Sequence, residues 1–195
     1  MPKVGMQPIR TTALIDAVIA EIGETGSMDV TVSRIAKRAG MSSALAHHYF
    51  GSKDNMLIAA MRSILTIYGQ EIRAGLSGKT DPVERLEAII RSSFSDANFN
   101  PDVVCAWLNF YVHAQKSSEF SKLLRVYHRR LRTALLVELR QISPENADEV
   151  AEGIASIIDG AYIRWALRPE ADRPTNPAGL ALHYLHLRVT RKGQA

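Results

Sequence analysis

Apolar side chains recur at three- and four-residue intervals along almost the whole chain. Leu14, Ile15, Val18, Ile19 and Ile22 form one stripe, and Leu57, Met61, Ile64, Leu65, Tyr68 and Ile72 form another. That spacing puts residues on one face of an α-helix. No stretch alternates apolar and polar at every second residue, as a half-buried strand would. The pattern predicts an all-α protein. Helix starts carry a repeated device, a capping side chain followed by proline, at Asp81-Pro82, Asn100-Pro101, Ser143-Pro144 and Asn176-Pro177. The side-chain oxygen satisfies orphan amides while proline presets φ where its missing N–H costs nothing. The predicted helices lie near 8–24, 32–39, 43–49, 53–76, 82–98, 101–115, 118–141, 144–168 and 177–190.

Two stretches interrupt this pattern. AGLSGKTDP at 74–82 predicts a hinge, and the chain divides around it into an N-terminal domain over 8–68 and a larger helical body over 77–195. PEADRPTNP at 169–177 predicts a surface loop. An apolar content of 46% is enough for a buried core, and 24 basic against 20 acidic residues gives a net charge of +4, a mild bias toward an acidic partner such as nucleic acid. The single cysteine, Cys105, cannot form an internal disulfide. With no leader-like opening and no apolar run of the roughly 18 residues that cross a bilayer, the expected location is the cytoplasm, with no membrane partner.

The location of the charge matters more than its sum. TVSRIAKRAG at 31–40 opens on a capping threonine, Thr31, and closes on Gly40, suited to the left-handed turn that ends a short helix. SSALAHHYFGSK at 42–53 then forms a second short helix. Two short helices joined by a tight glycine turn make a helix-turn-helix, over 31–50, whose second helix reads the major groove of DNA. Between Thr31 and Lys53 stand Arg34, Lys37, Arg38 and Lys53, with no carboxylate. Ser42 and Ser43 suit phosphates or base edges, and the small Ala44 allows close approach and a thymine methyl contact. His47, His48, Tyr49 and Lys53 are placed to grip the sugar–phosphate backbone, and Phe50 is expected in the core. The capping Thr31 completes the DNA-facing set. A metal reading of the adjacent histidines fails because neighbours on a helix point about 100° apart, and no cysteine or carboxylate completes a ligand set.

These residues carry a family resemblance. TVSRIAKRAGMSSALAHHYFGSKDNML resembles the DNA-binding segment of the TetR family of transcriptional repressors, in which the helix-turn-helix ends on an aromatic pair and a lysine opens the next helix. One departure is His47, where many members carry tyrosine. MPKVGMQPIR and the overall layout further resemble a choline-responsive branch of that family controlling glycine betaine synthesis genes. The resemblance implies a homodimer on double-stranded operator DNA, and a ligand- and dimer-forming body that controls DNA affinity. It also implies a small-molecule effector, choline or a related quaternary ammonium, with no cofactor and no metal.

A quaternary ammonium is held by aromatic faces, not hydrogen bonds to its methyls. Trp107 and Tyr111 are four apart, and Tyr162 and Trp165 three apart, each pair on one helix face. Asp159, one turn before the second pair, is placed to balance a ligand charge or to pair with Arg164 or Arg168. The same rings at the same spacing also suit an ordinary core. Gly153 and Gly160 share a face of the helix after Pro144, and with Leu180, Leu182, Tyr184, Leu185 and Leu187 they predict a surface packed against a second copy, with crossing of helices inside one chain as the alternative. Arg125, Arg129, Arg130 and Arg132 read as a solvated face. No nucleophile elbow or phosphate-binding loop marks an enzyme, for which Cys105 or a histidine would have to act. A DNA-architectural protein without a ligand is the other rival.

Overall fold

The computed structural model describes residues 6–190, and among them every regular element is helical. The opening MPKVG, part of the stretch carrying the closer resemblance, and residues 191–195 of the predicted helical body lie outside the described residues. The chain packs as two compact units, and these do not follow the hinge. The first takes the described part of Met1–Thr66 together with Asn100–Leu123, and the second takes Ile67–Phe99 with the described part of Leu124–Ala195.

In the first unit, α1 (Met6–Thr25), α2 (Val32–Arg38), α3 (Ser43–Phe50) and the start of α4 (Lys53–Leu76) are joined by α6 (Pro101–Ala114) and the first turns of α7 (Ser118–Ile142). The predicted apolar stripes become its core, with Leu14, Val18, Ile22, Ile35, Ala46, Met56, Met61 and Phe110 all buried. α6 lies directly on the last turns of α1. A Cβ added at Gly23 would stand 2.8 Å from the Asp102 Cα, so only glycine lets the two backbones come this close. Side chains of α6 then reach carbonyls at the end of α1 and just beyond it. Cys105 Sγ lies 3.4 Å from the Ile22 carbonyl, and Asn109 Nδ2 donates to the Gly26 carbonyl at 3.1 Å.

The second unit combines the rest of α4 with α5 (Pro82–Ser92), the rest of α7, α8 (Ala147–Leu167), a 3-10 turn at Glu170–Asp172 and α9 (Gly179–Thr190). Asp81 and Asn100 cap as expected, accepting from the Glu84 amide at 2.9 Å and the Val103 amide at 3.1 Å. The other two proline devices do not start helices. The Ser143 amide still donates to Leu139 at 2.8 Å, so Ser143 is the last link of α7, and a turn intervenes before α8. A turn at Pro177 and Ala178 likewise precedes α9. α5 also ends at Ser92, short of the expected 98. The hydroxyls of Ser92 and Ser93 bond back to the Ala88 and Ile89 carbonyls, and Asn98 Nδ2 takes the Ser92 carbonyl that a continuing helix would need.

The two glycines of α8 do not act together. Gly153 admits Tyr184 of α9, whose hydroxyl and ring an added Cβ would overlap, so its close helix approach is within the chain and not to a second copy. Gly160 faces open space.

Replacing Gly23 with alanine tests the α1–α6 contact. The change favours the helix by about 0.5–1 kcal/mol on propensity alone, yet overpacking against the Asp102 backbone is expected to cost about 1–3 kcal/mol. Chemical denaturation is therefore expected to show a net loss of stability, and a stabilised Gly23→Ala would refute the close approach.

Candidate DNA-reading and cation-binding sites

The helix-turn-helix forms as its local chemistry dictates. Thr31 caps α2 by accepting from the Arg34 amide at 3.3 Å, and Ser42 caps α3 by accepting from the Leu45 amide at 3.2 Å. Acceptance leaves each hydroxyl its own proton for an outside acceptor such as a phosphate. Between the helices, Gly40 takes φ of 67°, a left-handed conformation glycine adopts without strain. The Met41 amide closes back on the Ala36 carbonyl at 2.8 Å. On α3, Ser42, Ala44, His47 and His48 are exposed, whereas Ser43, Tyr49 and Phe50 are half-buried. His47 Nδ1 sits 3.2 Å from the Gly51 carbonyl, and the His48 and Tyr49 rings meet edge to face at 5.6 Å. The ring of His47 therefore closes the end of its own helix.

The basic charges of α2 are less available than their number implies. Glu21, buried on α1, accepts from Arg34 Nε at 2.8 Å and Arg38 Nε at 2.6 Å, while Glu24 pairs with Arg38 as well. The hydrogen bond from Arg38 and the charges of both guanidiniums outweigh burial and hold the Glu21 carboxyl below its ordinary range. The two arginines thus bind α2 to α1. Lys53 also has a partner, Asp29 Oδ1 at 3.3 Å. Lys37 is exposed and, among the described residues, has no ion-pair partner.

The proposed aromatic residues fall in different units. In the first, Trp107 is buried and Tyr111 half-buried, with ring centroids 5.8 Å apart. Trp107 also meets Phe110 at 5.6 Å. In the second, Tyr162 and Trp165 both pack on Phe99, at 4.9 and 5.0 Å, and Phe94 lies 5.9 Å from Tyr162. Rings this close touch one another and leave no room for a cation between them. The Tyr162 hydroxyl donates to the Ser93 carbonyl at 2.5 Å and lies 3.2 Å from the Asn98 carbonyl, both in the break that ends α5. Burial raises its pKa, which keeps it a neutral donor.

Asp159 pairs with neither Arg164 nor Arg168. It accepts from the Tyr127 hydroxyl at 3.2 Å, with His128 Nε2 at 3.7 Å. Tyr127 meets Tyr68 edge to face at 5.5 Å, and the Tyr68 hydroxyl bonds Ser93 Oγ at 2.8 Å. Sequence reasoning placed Tyr68 only in a helical stripe and passed over Ser93, Phe94, Phe99 and Tyr127. The one available signal is the aromatic pair Phe94 and Phe99 just before the second proline device. The outer face of Trp165 is covered by the guanidinium of Arg173, 4.0 Å from the ring centroid. Beside it, a cavity of about 450 Å³ is lined by Ile157, Gly160, Arg164, Trp165, Pro174 and Leu180 among others.

Residues 14–60 match the model of the tetR family of bacterial regulatory proteins, and residues 82–189 match that of the BetI-type transcriptional repressor C-terminal domain. The chain is 47% identical over 195 residues to the HTH-type transcriptional regulator BetI of Brucella anthropi, covering all of both chains. A TetR transcription regulator from Haloarcula marismortui shares the fold with a TM-score of 0.81 at 25% identity, covering 94% of this chain and 98% of that one. A transcriptional regulator from Saccharomonospora viridis, solved in complex with choline, shares it with a TM-score of 0.76 at 19% identity, over 93% and 96% of the two chains.

The Glu21 clamp predicts a pH-dependent loss in Glu21→Gln. A carboxyl whose pKa is lower in the folded chain stabilises fully above its unfolded value, near 4.5, and less as pH falls through the folded value. Urea denaturation is expected to show the variant less stable by about 1–3 kcal/mol at pH 7, with the gap narrowing below pH 4.5. A gap that is constant down to pH 3 would rule out the ionised clamp.

Proposed function

Since this chain belongs to the TetR family of transcriptional repressors and carries a BetI-type C-terminal domain, we propose that choline, or a close quaternary ammonium relative, sets its hold on operator DNA and so controls genes of glycine betaine synthesis. The observation that carries the proposal is identity of 47% running the full length of both chains, through the DNA-reading unit and the body alike. The named relatives are regulators, not enzymes.

On DNA, Ser42, Ser43 and Ala44 meet base edges at the start of α3, while Thr31, His47, His48, Tyr49 and Lys53 hold the backbone. Two such readers in a homodimer engage successive major grooves, about 34–36 Å apart. The dimer reading is supported by the outer surface of α8 and α9, where Ile163, Leu167, Leu180 and Leu187 are exposed and Gly160 is open. Isolated apolar side chains are common on surfaces, but four large ones on a helix pair are suited to covering by a second copy.

The ligand reading is supported by chemistry at Trp165, whose indole already holds a cation, the guanidinium of Arg173. Tyr162 packs on the same Phe99 as Trp165, and Asp159, three residues before Tyr162 on α8, supplies a negative charge, while Trp107 and Tyr111 form an aromatic pair of the first unit. A ligand lowers DNA affinity only if it binds the DNA-free conformation more tightly. The choline complex of the Saccharomonospora viridis regulator has the same fold, which is consistent with this assignment.

Two measurements test the two halves. Lys53→Ala is expected to weaken binding to all DNA sequences and to lower the salt dependence by about one unit, as loss of one phosphate contact requires. Asp29→Asn, which releases Lys53 from its partner, is expected to strengthen binding modestly, and anisotropy titrations over a salt series read both. Trp165→Ala is expected to lose choline binding in calorimetry while operator affinity without ligand stays near wild type. Equal choline affinity in wild type and variant would remove Trp165 from the site.

A further inference from the structure

We infer that Arg173 is a tethered competitor for the ligand cation, and that it sets the concentration at which the Trp165 site responds. This rests on Trp165 being part of the cation site. Phe99 packs against the indole with centroids 5.0 Å apart and the ring planes tilted by 58°. The Arg173 guanidinium lies over the ring, 4.0 Å from its centroid. A quaternary ammonium reaches the face that Arg173 covers only after Arg173 leaves it.

The contact is not a by-product of ion pairing. Glu170 and Asp172 lie in the same loop, yet among the described residues Arg173 makes no ion pair. Its Nε is buried without a hydrogen-bond partner. A guanidinium that gives up two neighbouring carboxylates and leaves a donor unsatisfied is held by the ring itself. Burying an unpaired donor is costly, so the closed state is only modestly favoured and a ligand can displace it. The loop that carries it, from Arg168 to Ala178, has only the 3-10 turn at Glu170–Asp172 and three prolines, so Arg173 can swing aside without unfolding a helix.

A competitor of this kind lowers the affinity of every incoming cation by the same factor, the ratio of covered to uncovered ring plus one. Arg173 therefore sets the response threshold and leaves the ranking of cations unchanged. Removing it is expected to tighten binding by about 3- to 30-fold, the range that a cation–π contact of ordinary strength produces.

Calorimetric titration of full-length wild type, Arg173→Ala, Arg173→Gln and Trp165→Ala with choline and with tetramethylammonium tests this, with far-UV circular dichroism melts showing that each variant is folded. Tightening of both ligands by a common factor in Arg173→Ala supports the proposal. Arg173→Gln keeps a long side chain without the charge and is expected to tighten likewise, which covers the case of an alanine variant that does not fold. Unchanged or weaker binding in both arginine variants overturns the competitor, and the cation site itself survives that result if Trp165→Ala still abolishes binding. Absence of binding to wild type and arginine variants alike overturns both.

Discussion

A carboxylate that cannot be left alone sits at the centre of the DNA-reading unit. Glu21 is buried on α1, and an unpaired charge there would be prohibitive. It is satisfied by two arginines of α2, so the angle between α1 and α2 is set by charge-assisted bonds as well as by apolar packing. Two residues further along the same helix, Gly23 lets α6 approach backbone to backbone. The end of α1 is thus held from both sides, by α2 through its carboxylates and by α6 through its glycine and carbonyls. The orientation of α3 follows from that of α2, to which the short turn through Gly40 joins it. The pairing also has a cost for DNA binding: two of the four positive charges from Thr31 to Lys53 maintain the fold and are not spare for phosphates.

The second unit depends on a failure of regularity. Had α5 continued past Ser92, the carbonyls of Ser93 and Asn98 would have been engaged along a helix. Because it stops, both point at the Tyr162 hydroxyl, and the rings of Phe94 and Phe99 are carried in to meet Tyr162 and Trp165. The aromatic cluster is thereby packed too tightly to hold a guest in its interior. Its chemistry is available only at the edge, on the outer face of Trp165.

Features governed by near neighbours in the chain were legible in the sequence. The all-helical class followed from periodicity, and the helix-turn-helix followed from Thr31 and Gly40, whose roles are decided within a few residues. Features governed by distant partners were not. Nothing near Arg34 or Arg38 reveals a carboxylate 13 or 17 residues upstream. The end of α5 depends on Asn98 folding back six residues, and the Tyr162 bond spans 69. Ser143-Pro144 has the composition of a helix start, but the Ser143 amide was already committed to α7. Gly153 and Gly160 look equivalent in sequence, and only the position of Tyr184 separates them. The aromatic pairs were found by spacing, whereas Arg173 lies in a loop where no periodicity operates.

The chain has two tryptophans, and each unit holds one. Trp107 is 3% exposed among apolar neighbours, while Trp165 is half-buried beneath a guanidinium. Two indoles in such different surroundings differ in emission wavelength and in access to a dissolved quencher. The protein therefore carries a natural optical label in each unit, and the two can be followed separately without attaching a dye.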